Sequence, residues 1–462
     1  MIHETSASTP RAVLVGVQLP SVTDADLDAS LAELTRLVHT LGFSVVRTVK
    51  QRRNSVSGGT VLGAGKLKEL SAMTGGTGEI PTGAKNKLNK AELRRLEEAE
   101  EEDDSSDDAT TEAAPSDPAT RPTVVVVDAE MTPSQMRNLE RATGVEVLDR
   151  TGVIIRIFHR HAHTREARLQ VEIARLTYEA PRAREKEGTG DRQRGGGVGG
   201  QGDNEVELDK RRIRDRIAEL RHELAGLQTE HNTRRARRKE KLKVALVGYT
   251  NAGKSSLMRA LTGSDVLVAD KLFATLGTTV RALQPESHPR VLVSDTVGFI
   301  KNLPHDLVAS FRSTLDEAHD ASLLLYVVDA SDPAFRSQLA VTRKVLSEIG
   351  ASSIPEKLIL NKRDRLSAEE QAQLRAEFPD AVQVSALSPD DVTMLRGLMV
   401  QSFEAQMVEE TVTVPYGKTG VMGEIRENAK VVSEEYVQEG AVLKLRTQPE
   451  ILARIKSLLA AN

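Results

Sequence analysis

A short apolar run, Val244 to Val247, leads into a pattern that is typical of phosphate binding. It reads Gly248-Tyr-Thr-Asn-Ala-Gly-Lys254-Ser255 and is followed by a helical run to Leu261. Glycine lets backbone N–H groups close around phosphates, the lysine reaches the β and γ oxygens, and the serine hydroxyl can ligate Mg²⁺. The amino end of the following helix adds a positive dipole end. These residues predict a nucleotide-binding protein.

A second motif, Asp295-Thr-Val-Gly298, follows the apolar run 291–294. A carboxylate at this place holds Mg²⁺ through water, and the glycine N–H can contact the γ-phosphate. The two motifs together predict a site for a nucleoside triphosphate with magnesium.

The base is predicted to be guanine. The apolar run 356–360 ends in Asn361-Lys362-Arg-Asp364. Asp364 can accept hydrogen bonds from guanine N1–H and the N2 amino group, whereas adenine offers neither donor, so this carboxylate selects GTP over ATP. Asn361 is expected to brace the loop. Ser385-Ala386, directly after 381–384, fits a backbone N–H contact to guanine O6.

The segment 270–279 has the composition of a first switch, which needs a threonine that contacts Mg²⁺ and the γ-phosphate and is released after hydrolysis. We choose Thr275 for this role. Thr278 and Thr279 remain alternatives, because spacing does not separate them.

Two positions bear on the rate. Phe299 and Ile300 stand where many GTPases carry a glutamine that orients water. Apolar side chains cannot polarise water, so intrinsic hydrolysis should be slow until a partner or a rearranged switch supplies the missing groups. Asn251 lies where some related GTPases coordinate K⁺; bracing of the loop is the alternative role.

We therefore expect Lys254, Thr275 and Gly298 to carry the hydrolysis, and Ser255 and Thr275 to bind the metal. The residues expected to contact GTP are Gly248, Tyr249, Thr250, Asn251, Ala252, Gly253, Lys254, Ser255, Ser256, Phe273, Ala274, Thr275, Asp295, Gly298, Asn361, Lys362, Asp364, Ser385 and Ala386.

The elements that position these residues alternate between strands and helices. The strand candidates are 244–248, 291–295, 323–329, 356–360 and 381–384, which predicts a doubly wound, mostly parallel sheet over a GTP-binding domain, 241–405. In such a sheet ligands bind at the carboxyl ends of the strands. The pattern over 406–462 predicts a small β-α-β-α domain.

The N-terminal part, 1–160, also reads as an α/β domain. Strands are predicted at 11–17, 43–46 and 123–127, and a leucine-striped helix spans 27–41. Residues 74–121 have the composition of an acidic disordered insertion. The stretch 62–66 resembles a phosphate loop but lacks its spacing, so we interpret it as a turn before a helix.

Residues 161–240 are predicted to form an arm of two antiparallel helices, about 164–178 and 205–239. Leucines and isoleucines in the second helix follow a heptad spacing. The glycine-rich tip, 187–204, carries arginines that suit insertion into an RNA groove. A plain disordered connector is the alternative.

Composition narrows the class of protein further. The 462 residues include no cysteine and carry a net charge of −4, while ten acids fall within 97–112, so the rest of the chain is basic. Basic segments indicate a nucleic-acid partner, with solvated helix faces as the alternative. We expect no signal peptide and no membrane span. The expected protein is cytoplasmic and monomeric.

The chain resembles HflX-type GTPases of the translation-factor class. The resemblance is carried by the motifs at 248–255, 270–276 and 295–300, by Leu303-Pro-His-Asp-Leu-Val308, and by stretches at 51–53, 63–66, 148–152 and 164–167. Departures occur at 202–209 of the arm, at Gly277-Thr-Thr279, and at Ser256, where the family usually has threonine.

That resemblance implies GTP and GDP binding, attachment to the large ribosomal subunit and its rRNA, and splitting or rescue of stalled ribosomes. A GTP-timed RNA-binding regulator that acts off the ribosome is the alternative function. The two differ in whether intact large subunits, rather than free RNA, raise GTP turnover.

Overall fold

The structure is a computed structural model, and it divides into two compact units, Met1–Arg160 with Val171–Leu220, and His161–Gln170 with Arg221–Asn462. The residues that it describes are 9–56, 59–80, 121–183, 201–236, 242–264, 272–273, 279–287, 290–301 and 317–460. Several predictions fall outside these ranges: the roles of Ala274, Thr275 and Thr278, most of the acidic insertion, the glycine-rich tip up to residue 200, and Leu303-Pro-His-Asp-Leu-Val308.

The first unit contains a four-stranded parallel sheet in the order β2-β1-β3-β4. Its strands are β1 (Arg11–Gln18), β2 (Ser44–Arg52), β3 (Val124–Val127) and β4 (Glu146–Asp149), and its helices are α1 (Asp24–Thr40), α2 (Ala64–Thr74), α3 (Pro133–Thr143) and α4 (Arg150–His161). The N-terminal α/β fold predicted from the apolar runs is present. The second strand is longer than predicted and extends to Arg52.

The two long helices of the arm are α5 (Arg165–Ala183) and α6 (Gln201–Ala236). Arg165 Nη2 of α5 lies 2.6 Å from Glu223 Oε1 of α6, and the Arg216 charge of α6 helps to lower the pKa of Glu172 of α5, after the larger effect of its hydrogen bond from Arg175. Such pairing is that of antiparallel helices. The heptad residues are buried or half-buried: Ile213, Ile217, Leu220, Leu224 and Leu227.

The second unit contains a six-stranded sheet in the order β10-β9-β8-β5-β7-β6. The strands are β5 (Leu242–Val247), β6 (Thr279–Ala282), β7 (Val291–Asp295), β8 (Leu323–Asp329), β9 (Glu356–Asn361) and β10 (Val382–Gln383). The helices are α7 (Lys254–Thr262), α8 (Phe335–Glu348), α9 (Ala368–Glu377) and α10 (Pro389–Glu404). All strands are parallel except β6, as a doubly wound sheet requires.

The sheet also contains a strand that the sequence analysis missed. The edge strand β6 pairs antiparallel with β7, with Thr279 opposite Asp295. Its four residues are half-buried or exposed, so they form no apolar run of the kind that marked the buried strands.

A three-stranded antiparallel sheet, in the order β11-β13-β12, lies at the carboxyl end of the chain. Its elements are β11 (Val408–Val414), α11 (Thr419–Asn428), β12 (Lys430–Val437), β13 (Gly440–Thr447) and α12 (Pro449–Ala460). The predicted β-α-β-α order was wrong, because β12 was missed. This edge strand is exposed along almost its whole length and shows no alternation of buried and exposed residues.

The described helices include none that is both long enough and apolar enough to cross a membrane.

Candidate nucleotide-binding site

The loop between β5 and α7 has two glycines that no other residue could replace without strain. Gly248 has φ 152°, and a Cβ there would lie 2.1 Å from the Val327 carbonyl oxygen. Gly253 has φ 91°, and a Cβ there would lie 2.2 Å from Asn361 Nδ2. The loop therefore packs with its bare backbone against the ends of β8 and β9, as a phosphate-binding loop requires.

Lys254 is the first residue of α7, and its ammonium group folds back over the loop. Its Nζ donates to the carbonyl oxygens of Gly248 at 3.0 Å and Tyr249 at 2.8 Å. Burial lowers the pKa of Lys254 to about 8, and the charge of Asp295 opposes that change. A Cβ on Gly298 would lie 3.0 Å from Nζ, so the predicted catalytic residues Lys254 and Gly298 are adjacent.

The predicted metal ligand Ser255 lies beside Asp295. Ser255 Oγ donates to Asp295 Oδ2 at 2.6 Å, and the carboxylate is completely buried at the end of β7. Within the described part of the chain, no group of three or more His, Cys, Asp or Glu side chains could hold a metal by itself. Mg²⁺ prefers oxygen ligands and usually takes only one or two from the protein. This hydroxyl–carboxylate pair therefore fits a Mg²⁺ shared with phosphates.

The phosphate loop is also joined to the segment that follows β7. Thr250 N donates to the Phe299 carbonyl at 2.8 Å, and Phe299 N donates to the Gly248 carbonyl at 3.1 Å. The Tyr249 hydroxyl accepts a hydrogen bond from Lys301 N at 2.6 Å. These bonds join residues 299–301 to the phosphate loop, so a rearrangement of residues 299–301 would have to break them.

Phe299 and Ile300 are both buried. Neither carries a polar group, and neither is exposed in this arrangement. The position at which a water-orienting glutamine was sought is therefore occupied by side chains that pack inside the protein.

Asn361 and Lys362 link the phosphate loop to the loops that are predicted to read guanine. Asn361 Nδ2 donates to the Ala252 carbonyl at 2.8 Å, and its Oδ1 accepts from Ala386 N at 3.3 Å. Lys362 Nζ donates to the Asn251 carbonyl at 2.8 Å and to Asp329 Oδ2 at 2.7 Å. Both side chains brace the phosphate loop, whereas Asn361 was expected to brace the loop 361–364 that it begins.

The residues predicted to read guanine lie on neighbouring loops after β9 and β10. Asp364 is exposed in the short 3₁₀ helix Arg363–Arg365. Ser385 is buried, and its N–H donates to Asp391 Oδ2 at 2.7 Å rather than pointing towards a ligand. The Ala386 N–H is held more loosely by Asn361, so it remains the better donor for a purine oxygen.

Three residues of this region were missed. Asp329 ends β8 at the same edge of the sheet, a position that the rule on carboxyl ends could have identified. Asp391 anchors Ser385, and Leu387 follows the Ser-Ala pair with 78% of its surface exposed. An exposed leucine next to a loop that is predicted to read guanine suits contact with the flat face of a base, but no local sequence signal distinguishes it.

Of the predicted first switch, 270–279, the structure describes residues 272, 273 and 279. Phe273 is described and buried, with φ 58°. Thr279 begins β6, which places this alternative within the sheet edge. The roles of Ala274, Thr275 and Thr278 remain predictions.

The low pKa of Lys254 predicts a pH dependence for GTP binding. Phosphates favour the ammonium form, so above pH 8 the complex holds a proton that the free protein has lost. Through this group GTP affinity should fall about tenfold between pH 7 and pH 9, and the contribution of Lys254 should change little below pH 7. Calorimetric titrations in buffers of different ionisation enthalpy would measure both the affinity and the proton uptake.

The matched control for this effect is Lys254→Arg, because a guanidinium stays protonated throughout this range. Titration of the nucleotide itself affects both proteins equally and cancels in the comparison. An equal slope in the two proteins would show that Lys254 does not titrate on binding.

Three family models match the chain. A model described as GTP-binding GTPase N-terminal matches residues 28–101 and 110–159, and one described as GTP-binding GTPase middle region matches 161–238. A third, described as 50S ribosome-binding GTPase, matches 243–362, which includes the phosphate loop and the Asn361 motif but not Asp364.

Curated relatives match over the whole length. GTPase HflX from Gluconacetobacter diazotrophicus is 58% identical, covering 99% of this chain and 100% of the relative. GTPase HflX from Caldanaerobacter subterraneus subsp. tengcongensis is 34% identical, covering 99% and 96%. A solved GTP-binding protein from Sulfolobus solfataricus in complex with GDP is 22% identical with a TM-score of 0.40, covering 85% of this chain and 98% of that one.

Proposed function

This chain belongs to the HflX family of GTPases, and from that membership we propose that it binds the large ribosomal subunit and splits or rescues stalled ribosomes. The family model described as 50S ribosome-binding GTPase supports the choice of partner. One observation supports the nucleotide part of the proposal. At the start of α7, next to the loop 248–253, the structure brings together four of the predicted residues: Lys254, Ser255, Asp295 and Gly298.

Lys254 is the main electrostatic group for the phosphates. In the structure, its ammonium group donates hydrogen bonds to two backbone carbonyls of its own loop, which hold the side chain at the site before the ligand binds. On binding, Nζ exchanges these carbonyls for β- and γ-phosphate oxygens, and the helix dipole of α7 acts at the same place. Once Nζ faces the phosphates, little further reorganisation is needed as charge develops during hydrolysis.

Ser255 would hold Mg²⁺ directly, Asp295 would act through a water molecule, and Thr275 is the proposed second protein ligand. When bound, Mg²⁺ neutralises charge on the phosphates. The Ser255–Asp295 hydrogen bond keeps both oxygens together at the mouth of the loop. The Gly298 N–H is proposed to contact the γ-phosphate.

Guanine would be read by Asp364 on its N1–H and N2 amino groups and by the Ala386 N–H on O6. Asn361 and Lys362 position this end of the site, because both bond to the backbone of the phosphate loop. Base and phosphate recognition are thus connected through two side chains.

Slow intrinsic hydrolysis is part of the proposal. The buried Phe299 and Ile300 cannot orient water, and hydrogen bonds from Thr250 and Lys301 tie this segment to the phosphate loop. The ribosome would rearrange the segment or contribute the missing polar group.

The arm offers a chemical reason for an rRNA partner. Arg211, Arg212, Arg214 and Arg216 are all exposed on α6. Exposed arginines on one long helix suit a phosphate backbone, and such contacts weaken as salt rises. The arm is therefore proposed to be the element that contacts rRNA. Since the proposed partner is the ribosome, the protein is proposed to act in the cytoplasm.

Sedimentation of intact ribosomes tests this function. With a nonhydrolysable GTP analogue, the protein should convert 70S ribosomes into free subunits and co-sediment with the large one. With GDP it should do neither. Unchanged 70S particles together with tight binding to free RNA would instead favour the GTP-timed RNA-binding regulator that acts off the ribosome.

A further inference from the structure

We propose that Asp391 is a positioning residue that sets the spacing between the two loops that read guanine. Its carboxylate accepts two hydrogen bonds from Arg363, from Nε to Oδ2 at 2.5 Å and from Nη2 to Oδ1 at 2.6 Å. Oδ2 also accepts the Ser385 N–H at 2.7 Å. One side chain on α10 thereby joins the loop after β9 to the loop after β10.

The carboxylate is in a place that favours its charge. Asp391 lies in the first turn of α10, where Ser388 is the N-cap and its Oγ accepts the Asp391 N–H at 3.3 Å. The positive end of the helix dipole acts on the charge there. Only 5% of the residue is exposed, and paired Arg–carboxylate hydrogen bonds of this kind are strong and directional.

The two ends of this bridge lie next to the residues proposed to touch the base. Arg363 directly precedes Asp364, and Ser385 directly precedes Ala386. The bridge therefore fixes the distance between the carboxylate that reads N1–H and N2 and the N–H that reads O6.

Little else in the backbone fixes that distance. The strand β10 has only two residues, Val382 and Gln383, and it lies at one edge of its sheet, opposite β6. Backbone bonds from Arg363 N to Val384 O, at 3.1 Å, and from Val384 N to Leu360 O, at 2.9 Å, continue the pairing for one step. Beyond Val384 the second loop has a backbone bond within itself, from Ser388 N to Ser385 O at 3.0 Å. Side chains hold its next two N–H groups: Asp391 accepts from Ser385 N at 2.7 Å, and Asn361 accepts from Ala386 N at the longer distance of 3.3 Å.

This inference rests on the proposed guanine recognition, and it makes a prediction that depends on the base. Asp391→Ala should weaken GTP binding about tenfold, because the Ala386 N–H loses its alignment with O6. The loss should be much smaller for 6-thio-GTP, whose sulfur is already a poor acceptor. ITP keeps O6 and lacks only the N2 amino group, so its affinity should fall by the same factor as that of GTP.

The experiment is an equilibrium titration of the full chain with GTP, 6-thio-GTP and ITP, for the wild type and each variant. Asp390→Ala is the matched control, because Asp390 is an exposed acid in the same helical turn and, within the part of the chain that the structure describes, makes no hydrogen bond or ion pair to either loop. This control should bind GTP within about twofold of the wild type. Arg363→Met is the second variant, for the case that Asp391→Ala does not fold. It removes the other, more exposed partner of the bridge and should show the same dependence on the base.

The outcomes separate this inference from the function on which it rests. If the wild type fails to prefer GTP over ITP, reading of the N2 amino group by Asp364 is wrong. If the wild type does prefer GTP but Asp391→Ala and Arg363→Met weaken all three nucleotides by the same factor, the bridge is only structural. A smaller loss with 6-thio-GTP than with GTP supports the positioning role.

Discussion

Lys254→Met is expected to reduce GTP hydrolysis by about 100- to 1000-fold, because it removes the main charge that meets the phosphates. Methionine has a similar length and fills the same space, so the fold should persist. Loss of a buried ammonium should even relieve a cost of burial, since the pKa of Lys254 is lowered by desolvation. Single-turnover hydrolysis and a thermal melt of the same preparation would measure both effects.

The control for this substitution is Lys66→Met. Lys66 also follows a Gly-Ala-Gly stretch at the start of a helix, but its ammonium pairs with Glu69 within α2. Hydrolysis by this variant should equal that of the wild type. If Lys254→Met kept more than half of the wild-type rate, the phosphate site would have been placed wrongly.

Asp364→Asn is expected to exchange the base preference of the protein. GTP affinity should fall about 100-fold, because the two donors of guanine lose a charged acceptor. Xanthosine triphosphate should bind more tightly than to the wild type, since the asparagine amide can donate to the carbonyl at xanthine C2. Competition binding with GTP, ATP and xanthosine triphosphate would measure the exchange.

Asp380→Asn, a substitution of another exposed acid of the same unit, should leave all three affinities unchanged. An unchanged GTP preference in Asp364→Asn would remove this carboxylate from base recognition.

The parts of the site that could be predicted from sequence are those fixed by local chemistry. The phosphate loop needs glycine where φ is positive and the backbone approaches its neighbours closely, and Gly248 and Gly253 meet that need. Buried parallel strands are continuous apolar runs, so β5, β7, β8 and β9 were recognisable and their carboxyl ends marked the site.

The parts that were missed depend on partners far along the chain. The Arg363–Asp391 bridge spans 28 residues, and the contact of Tyr249 with Lys301 spans 52. A single sequence contains no local pattern that shows which distant residue either side chain contacts. The edge strands β6 and β12 were missed for a related reason, because a strand with one neighbour and little burial carries no regular apolar pattern.

Steady-state GTP hydrolysis with and without purified large ribosomal subunits tests the central claim most directly. We expect a slow rate for the protein alone and strong stimulation by intact large subunits, with no comparable effect from protein-free RNA. Lys254→Met should abolish the stimulated rate. A slow rate that large subunits leave unchanged, in a protein that still binds GTP, would contradict a ribosomal function while leaving the nucleotide site intact.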